Sequence, residues 1–149
     1  MSDQMRELYR EVILDHNRAP RNFGELDDAT RVVEAVNPLC GDQLTLFLKT
    51  DGDRVADIRF SGTGCAISVA SSSLMTEKVK GCNCQQALAL FEAVHDMLTG
   101  TAEPDEDELE KLVALAGVRE FPSRVKCASL AWHALKTALA SDSDSVSTE

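Results

Sequence analysis

Five cysteines, at positions 40, 65, 82, 84 and 127, are the residues of this chain best equipped for chemistry. Cys40 stands two residues from Asp42 in Asn37-Pro38-Leu39-Cys40-Gly41-Asp42, where Pro38 and Gly41 fix the backbone of a loop. A thiol and a carboxylate at that spacing can face one cation, although Asp42 also reads as an ordinary turn residue. Cys65 follows Gly62-Thr63-Gly64 and precedes a small and apolar run. Its sulfur therefore belongs at the amino end of a helix, where unpaired amide groups and the helix dipole favour a thiolate. Cys127 falls in the first two turns of the last helix, flanked by the cations Arg124 and Lys126. A cation there would offset the charge of an anionic site, or else form a solvated basic face. Each cysteine taken alone also reads as a small buried hydrophobe. The separations of 25 and 62 residues from 40 to 65 to 127 match no zinc finger or ribbon.

The elements that must position these residues are legible from periodicity. Leu8, Tyr9, Val12 and Ile13 recur at helical spacing before the turn region from Pro20 to Gly24. RVVEAV, LTLFLKT and RVADIRFSG follow as strands, the last two joined through Asp51-Gly52-Asp53, which predicts a three-stranded antiparallel meander. Helices are expected over 66–80, stopped by Gly81, and over 85–98, where Leu88, Phe91, Val94 and Leu98 recur. Pro104 and the acidic run Asp105 to Glu110 fit the first turn of another helix ending at Gly117. Pro122 and Ser123 open the last one, with Val125, Ala128, Trp132, Leu135 and Leu139 on one stripe. The terminal SDSDSVSTE is too polar to offset the entropy of ordering it and reads as a disordered acidic tail over 141–149, after a single domain over 1–140.

With 149 residues and a 44% hydrophobic share, the chain suffices for one core. It has no run of about 18 apolar residues, and MSDQMRELYREV carries charges where a signal peptide would be apolar, so a soluble, cytoplasmic protein is expected. In that compartment an odd number of cysteines suggests metal ligands or reactive thiols rather than disulfides. The net charge of -10 disfavours a nucleic-acid surface and suits either a basic protein partner or plain solubility.

Three segments, NPLCGD, GTGCAISVASSSLMTE and FPSRVKCASLAWHAL, with LYREVILDHNRAPRNFG upstream, occur in the order found in the U-type iron–sulfur cluster assembly proteins, IscU and SufU. The resemblance covers residues from about 5 to 140. It leans toward the SufU-like branch, because Lys126 stands where IscU-like proteins have a histidine and Thr99 to Glu120 looks like a SufU-type insertion. It implies an α+β, SufE/NifU-like fold with a three-stranded antiparallel sheet packed against helices, and a zinc site of Cys40, Asp42, Cys65 and Cys127. It also implies that Cys40 accepts sulfur from a SufS-type cysteine desulfurase, which lends zinc a histidine while Cys40 swings out. Delivery would follow to a scaffold complex of the SufB, SufC and SufD type. The resemblance places an arginine at Arg124 as well.

Two alternatives stay open. One is an IscU-like scaffold assembling a [2Fe–2S] cluster on the same cysteines, and the other is a structural zinc or interaction module without transfer chemistry. Cys82 and Cys84 depart from the family pattern and read as bystanders. His16, His95 and His133 are assigned surface or packing roles.

Overall fold

The computed structural model describes residues 3–148, apart from the side chain of Met5. Strands β1 (Arg31–Asn37), β2 (Asp42–Asp51) and β3 (Arg54–Thr63) form the expected antiparallel meander. Alternation buries Val33 and Ala35 of β1 and Leu44, Leu46 and Leu48 of β2 on one face. Val55 and Ile58 of β3 share that face although they stand three positions apart, because the pairing slips between Lys49 and Thr50 and a bulge resets the alternation.

Helices α2 (Ala66–Val79) and α5 (Pro122–Ala140) pack on the sheet, with α5 meeting β1 and β2, while α1 (Asp3–Arg18) packs against α2 and α3 (Cys84–Thr99) against α5. Trp132 of α5 is 1% exposed, and its indole N–H donates to Ser71 Oγ of α2, at 3.2 Å. Ser71 Oγ in turn donates to the Ala128 carbonyl, so the helices bearing Cys65 and Cys127 are tied by polar as well as apolar contacts. No helix among the described residues is long and apolar enough to cross a membrane.

Two expectations are corrected. The sheet has four strands, mixed in direction, because Ser145–Ser147 (β4) pairs parallel with β1 in the order β3-β2-β1-β4. That strand comes from the segment expected to be a disordered tail. Few apolar groups hold it; instead Arg31 donates to the carbonyls of Ala138, Ser141 and Ser143, satisfying backbone groups that sequence polarity alone leaves uncounted.

The acidic segment also differs from a single helix to Gly117. Only α4 (Glu106–Leu109) is α-helical, and Glu110, at φ 51°, turns the chain into a 3₁₀ run over Glu110–Glu120. Leu109, Leu112, Leu115 and Val118 are all buried and fall every third residue, a spacing that aligns on one face at three residues per turn.

Candidate metal centre

Three chain junctions meet at one end of the sheet. The first is the turn between β1 and β2, organised by Asn37, which is fully buried. Its carbonyl accepts the N–H groups of Cys40 at 3.3 Å and Gly41 at 2.9 Å, and its Oδ1 accepts the Leu39 N–H at 3.3 Å. Cys40 is thereby presented to solvent, while Asp42, opening β2, is 1% exposed.

The second junction joins β3 to α2. A side chain at Gly62 would meet the Gln43 carbonyl oxygen at 2.1 Å, and one at Gly64 would lie 3.2 Å from Asp42 Oδ1, so the glycines let this chain close on Asp42. The Cys65 N–H donates to Asp42 Oδ1 at 2.9 Å. Cys65 caps α2, its sulfur accepting the Ser68 N–H at 3.4 Å. The third junction is the first turns of α5, where Cys127 is fully buried. Asn37 Nδ2 donates to Cys127 Sγ at 3.6 Å, and the sulfurs of Cys127 and Cys40 stand 3.2 Å apart.

Cys40, Asp42 and Cys127 thus bring their ligand atoms within 4.8 Å of one another, as a metal ion requires. Cys65 falls outside that group but borders it, with its sulfur 4.0 Å from Asp42 Oδ2. Burial pushes the Cys127 thiol up, and the hydrogen bond with Cys40 and the charge of Cys65 push it further. Crowded acidic groups of this kind can ionise together when a cation joins them.

Of the two flanking cations, Arg124 lies beside the sulfurs. Its guanidinium is stabilised by the charge of Cys65 first, against the opposing effect of desolvation, and also by Cys127 and Cys40. Lys126 instead lines a cleft with His95, Ser129 and His133. Tyr9 of α1 also reaches the centre: burial raises its phenol, with Arg124 lowering it and Cys65 raising it. Sequence patterns did not single out Tyr9, and they gave Asn37 only as part of NPLCGD.

The remaining candidates lie elsewhere. Cys82 and Cys84 are half-buried at the junction of α2 and α3, where Cys82 Sγ donates to the Lys78 carbonyl. His95 and His133 pack against Phe91, with ring centroids 5.7 and 5.4 Å away. His16 is 1% exposed, and its Nδ1 pairs with Ser73 Oγ at 2.7 Å, joining α1 to α2.

Residues 8–128, from α1 through the third ligand-type cysteine, match the NifU-like N-terminal domain. The chain belongs to this family. Among relatives, it is 46% identical over 135 residues to the zinc-dependent sulfurtransferase SufU of Bacillus subtilis (strain 168), an alignment covering 91% of each chain. It is 44% identical over 136 residues to the iron–sulfur cluster assembly scaffold protein IscU of Streptococcus pyogenes serotype M1, covering 91% of this chain and 85% of that one. The crystal structure of FiSufU from Fervidobacterium islandicum AW-1 superposes with a TM-score of 0.84 at 38% identity, covering 89% of this chain and 97% of that one. As a family member the chain thus stands at similar identity to proteins called sulfurtransferase and scaffold, and identity does not choose between them.

Proposed function

We propose that this family member is a zinc-dependent sulfurtransferase that accepts persulfide sulfur on Cys40 from a SufS-type cysteine desulfurase and passes it on for iron–sulfur cluster assembly. A SufB/SufC/SufD-type scaffold complex is the proposed recipient. One contrast carries the reading: Cys40 is exposed on a turn, while Asp42 and Cys127, which could hold the same ion, are 1% and 0% exposed.

The donor set suits zinc. Ligands about 2.0–2.3 Å from a tetrahedral ion stand within about 4 Å of one another. Cys40, Asp42 and Cys127 need modest side-chain adjustment to meet that limit, and Cys65 would supply the fourth ligand. Bound zinc would keep the thiols deprotonated at neutral pH. Cys65 and Cys127 are held by α2 and α5, so the ligand free to leave is Cys40. Its thiolate attacks the outer sulfur of the desulfurase persulfide. A bond forms between Cys40 Sγ and that sulfur, the persulfide S–S bond breaks, and the desulfurase cysteine departs as a thiolate that takes up a proton. Arg124 offsets the negative charge of the cysteine cluster.

The test is to determine the metal and follow desulfurase turnover. Zinc content with strong stimulation, abolished in Cys40→Ala, is expected. A stable [2Fe–2S] cluster after iron and sulfide reconstitution, with little stimulation, would replace this reading with the scaffold. Zinc without any effect on the desulfurase would leave a structural module.

A further inference from the structure

A persulfide on Cys40 has a dangerous neighbour. With the turn in the position the structure shows, the Cys127 sulfur lies 3.2 Å from Cys40 Sγ, within the roughly 3–3.5 Å from which reacting atoms combine, so a charged Cys40 that returns to the cluster meets Cys127 there. Were the Cys127 thiolate to attack the inner sulfur of that persulfide, a Cys40–Cys127 disulfide would form, the persulfide S–S bond would break, and the outer sulfur would leave as hydrosulfide. The step balances without any outside oxidant or reductant, and it wastes the cargo. Burial shields Cys127 from reagents in solution but not from the residue it touches.

Hydrogen bonding to the sulfurs is unequal. Cys127 Sγ accepts the Asn37 amide N–H at 3.6 Å, and Cys65 Sγ accepts the Ser68 N–H at 3.4 Å. Cys40 Sγ accepts no N–H among the described residues; it accepts the Cys127 S–H at 3.2 Å, a donor that also reaches the Ser123 carbonyl at 3.6 Å. A donated N–H draws density from a sulfur lone pair and fixes its direction, which lowers its readiness to attack. The amide of Asn37 is oriented for this, because its Oδ1 is taken by the Leu39 N–H, leaving Nδ2 to face Cys127. The same residue therefore shapes the turn that exposes Cys40 and restrains the thiol behind it.

We infer that Asn37 is a positioning residue that keeps Cys127 from intercepting the persulfide on Cys40, so that the sulfur departs only to an outside acceptor. The inference rests on the sulfurtransferase reading. To test it, the zinc-loaded full chain is charged by the desulfurase and cysteine, separated from both, and kept without added thiol. Released sulfide and the Cys40 and Cys127 peptide masses are then followed. Wild type retains sulfur on Cys40. Asn37→Ala and Asn37→Asp lose it about tenfold faster, the scale of one hydrogen bond to a charged acceptor, and each sulfide released is matched by a Cys40–Cys127 disulfide.

The two variants separate the causes. Alanine removes both the donor and the Oδ1 acceptor, whereas aspartate keeps the acceptor and also stands in if the alanine variant fails to fold. Asn37→Gln, which retains an amide, leaks more slowly than either. Retention equal to wild type in both variants, or a leak in alanine alone, overturns the role of Asn37 and leaves Cys40 as acceptor. A wild type that carries no sulfur on Cys40 overturns the underlying reading instead.

Discussion

The turn that carries Cys40 and the helix that carries Cys127 bring their sulfurs to 3.2 Å, yet they are held in contrasting ways. The turn hangs on the carbonyl and Oδ1 of one residue, Asn37, whose Nδ2 reaches Cys127, and it leaves Cys40 in solvent. The helix is anchored by Trp132, Leu130, Ala131 and Leu135 in the core and by the Ser71 contacts to α2. The proposed sulfurtransferase reading needs this inequality, because in it one ligand must move while the rest keep the ion in place. The difference in local contacts can be altered from either side.

The largest expected effect comes from removing the fixed side. Cys127→Ser should strip most of the zinc from the purified protein, measured as metal per chain, because a hydroxyl is a poor zinc ligand. Cys40→Ala should abolish stimulation of the desulfurase while shifting the thermal midpoint by the equivalent of less than about 1 kcal/mol, since the side chain it removes is exposed. A large loss of stability in Cys40→Ala would erase the contrast between the two regions.

Ser71→Ala should cost about 1–3 kcal/mol in chemical denaturation, because it leaves the Trp132 N–H without its acceptor in the core. Zinc binding should weaken with it, as α2 and α5 lose their polar tie. A smaller effect is expected at His16, where burial first, and then Arg21, depress the imidazole against the pull of Glu77 and Asp15. The unfolded chain then takes up a proton more readily than the folded one. Stability contributed by neutral His16 is complete above the unfolded value near 6.5 and declines as pH falls through that value. His16→Gln should flatten the dependence of the melting temperature between about pH 7.5 and 5.5, and an unchanged profile would free α1 from this control.

The smallest effect belongs to the exposed edge of the 3₁₀ segment. Lys78 pairs with Glu110 at 2.7 Å, with Glu110 well exposed, so Lys78→Ala should cost under about 1 kcal/mol and leave metal content and transfer unchanged. A strong effect on transfer would tie that segment to the centre and blur the division drawn between its two sides.

Much of this was legible from residue order. Strand alternation and the Asp51-Gly52-Asp53 turn predict the meander, because the inward residues recur every second position and the turn fixes which strands pair. The glycines before Cys65 and the proline opening α5 mark helix starts, and both helices begin there. The fourth strand is not legible, since Ser145–Ser147 is held by backbone pairing with β1, and the residues leading into it, Ser141 and Ser143, by Arg31, more than 100 residues away along the chain. The 3₁₀ run is not legible because its three-residue apolar spacing also fits part of an α-helical stripe.

For the centre itself, residue types and motif order determined which side chains were candidates: three cysteines, one aspartate and a neighbouring arginine. The loop position of Cys40 and the family resemblance already single out Cys40 and Arg124 among them, but each side chain's burial and hydrogen bonds depend on residues distant in the chain. Only the tertiary structure decided that Cys40 faces solvent while Cys127 is enclosed, that Arg124 rather than Lys126 reaches the sulfurs, and that Asn37 bridges the turn and the helix. The physical reason is that ligand chemistry is carried by single side chains, whereas the freedom of a ligand to move is set by everything packed around it.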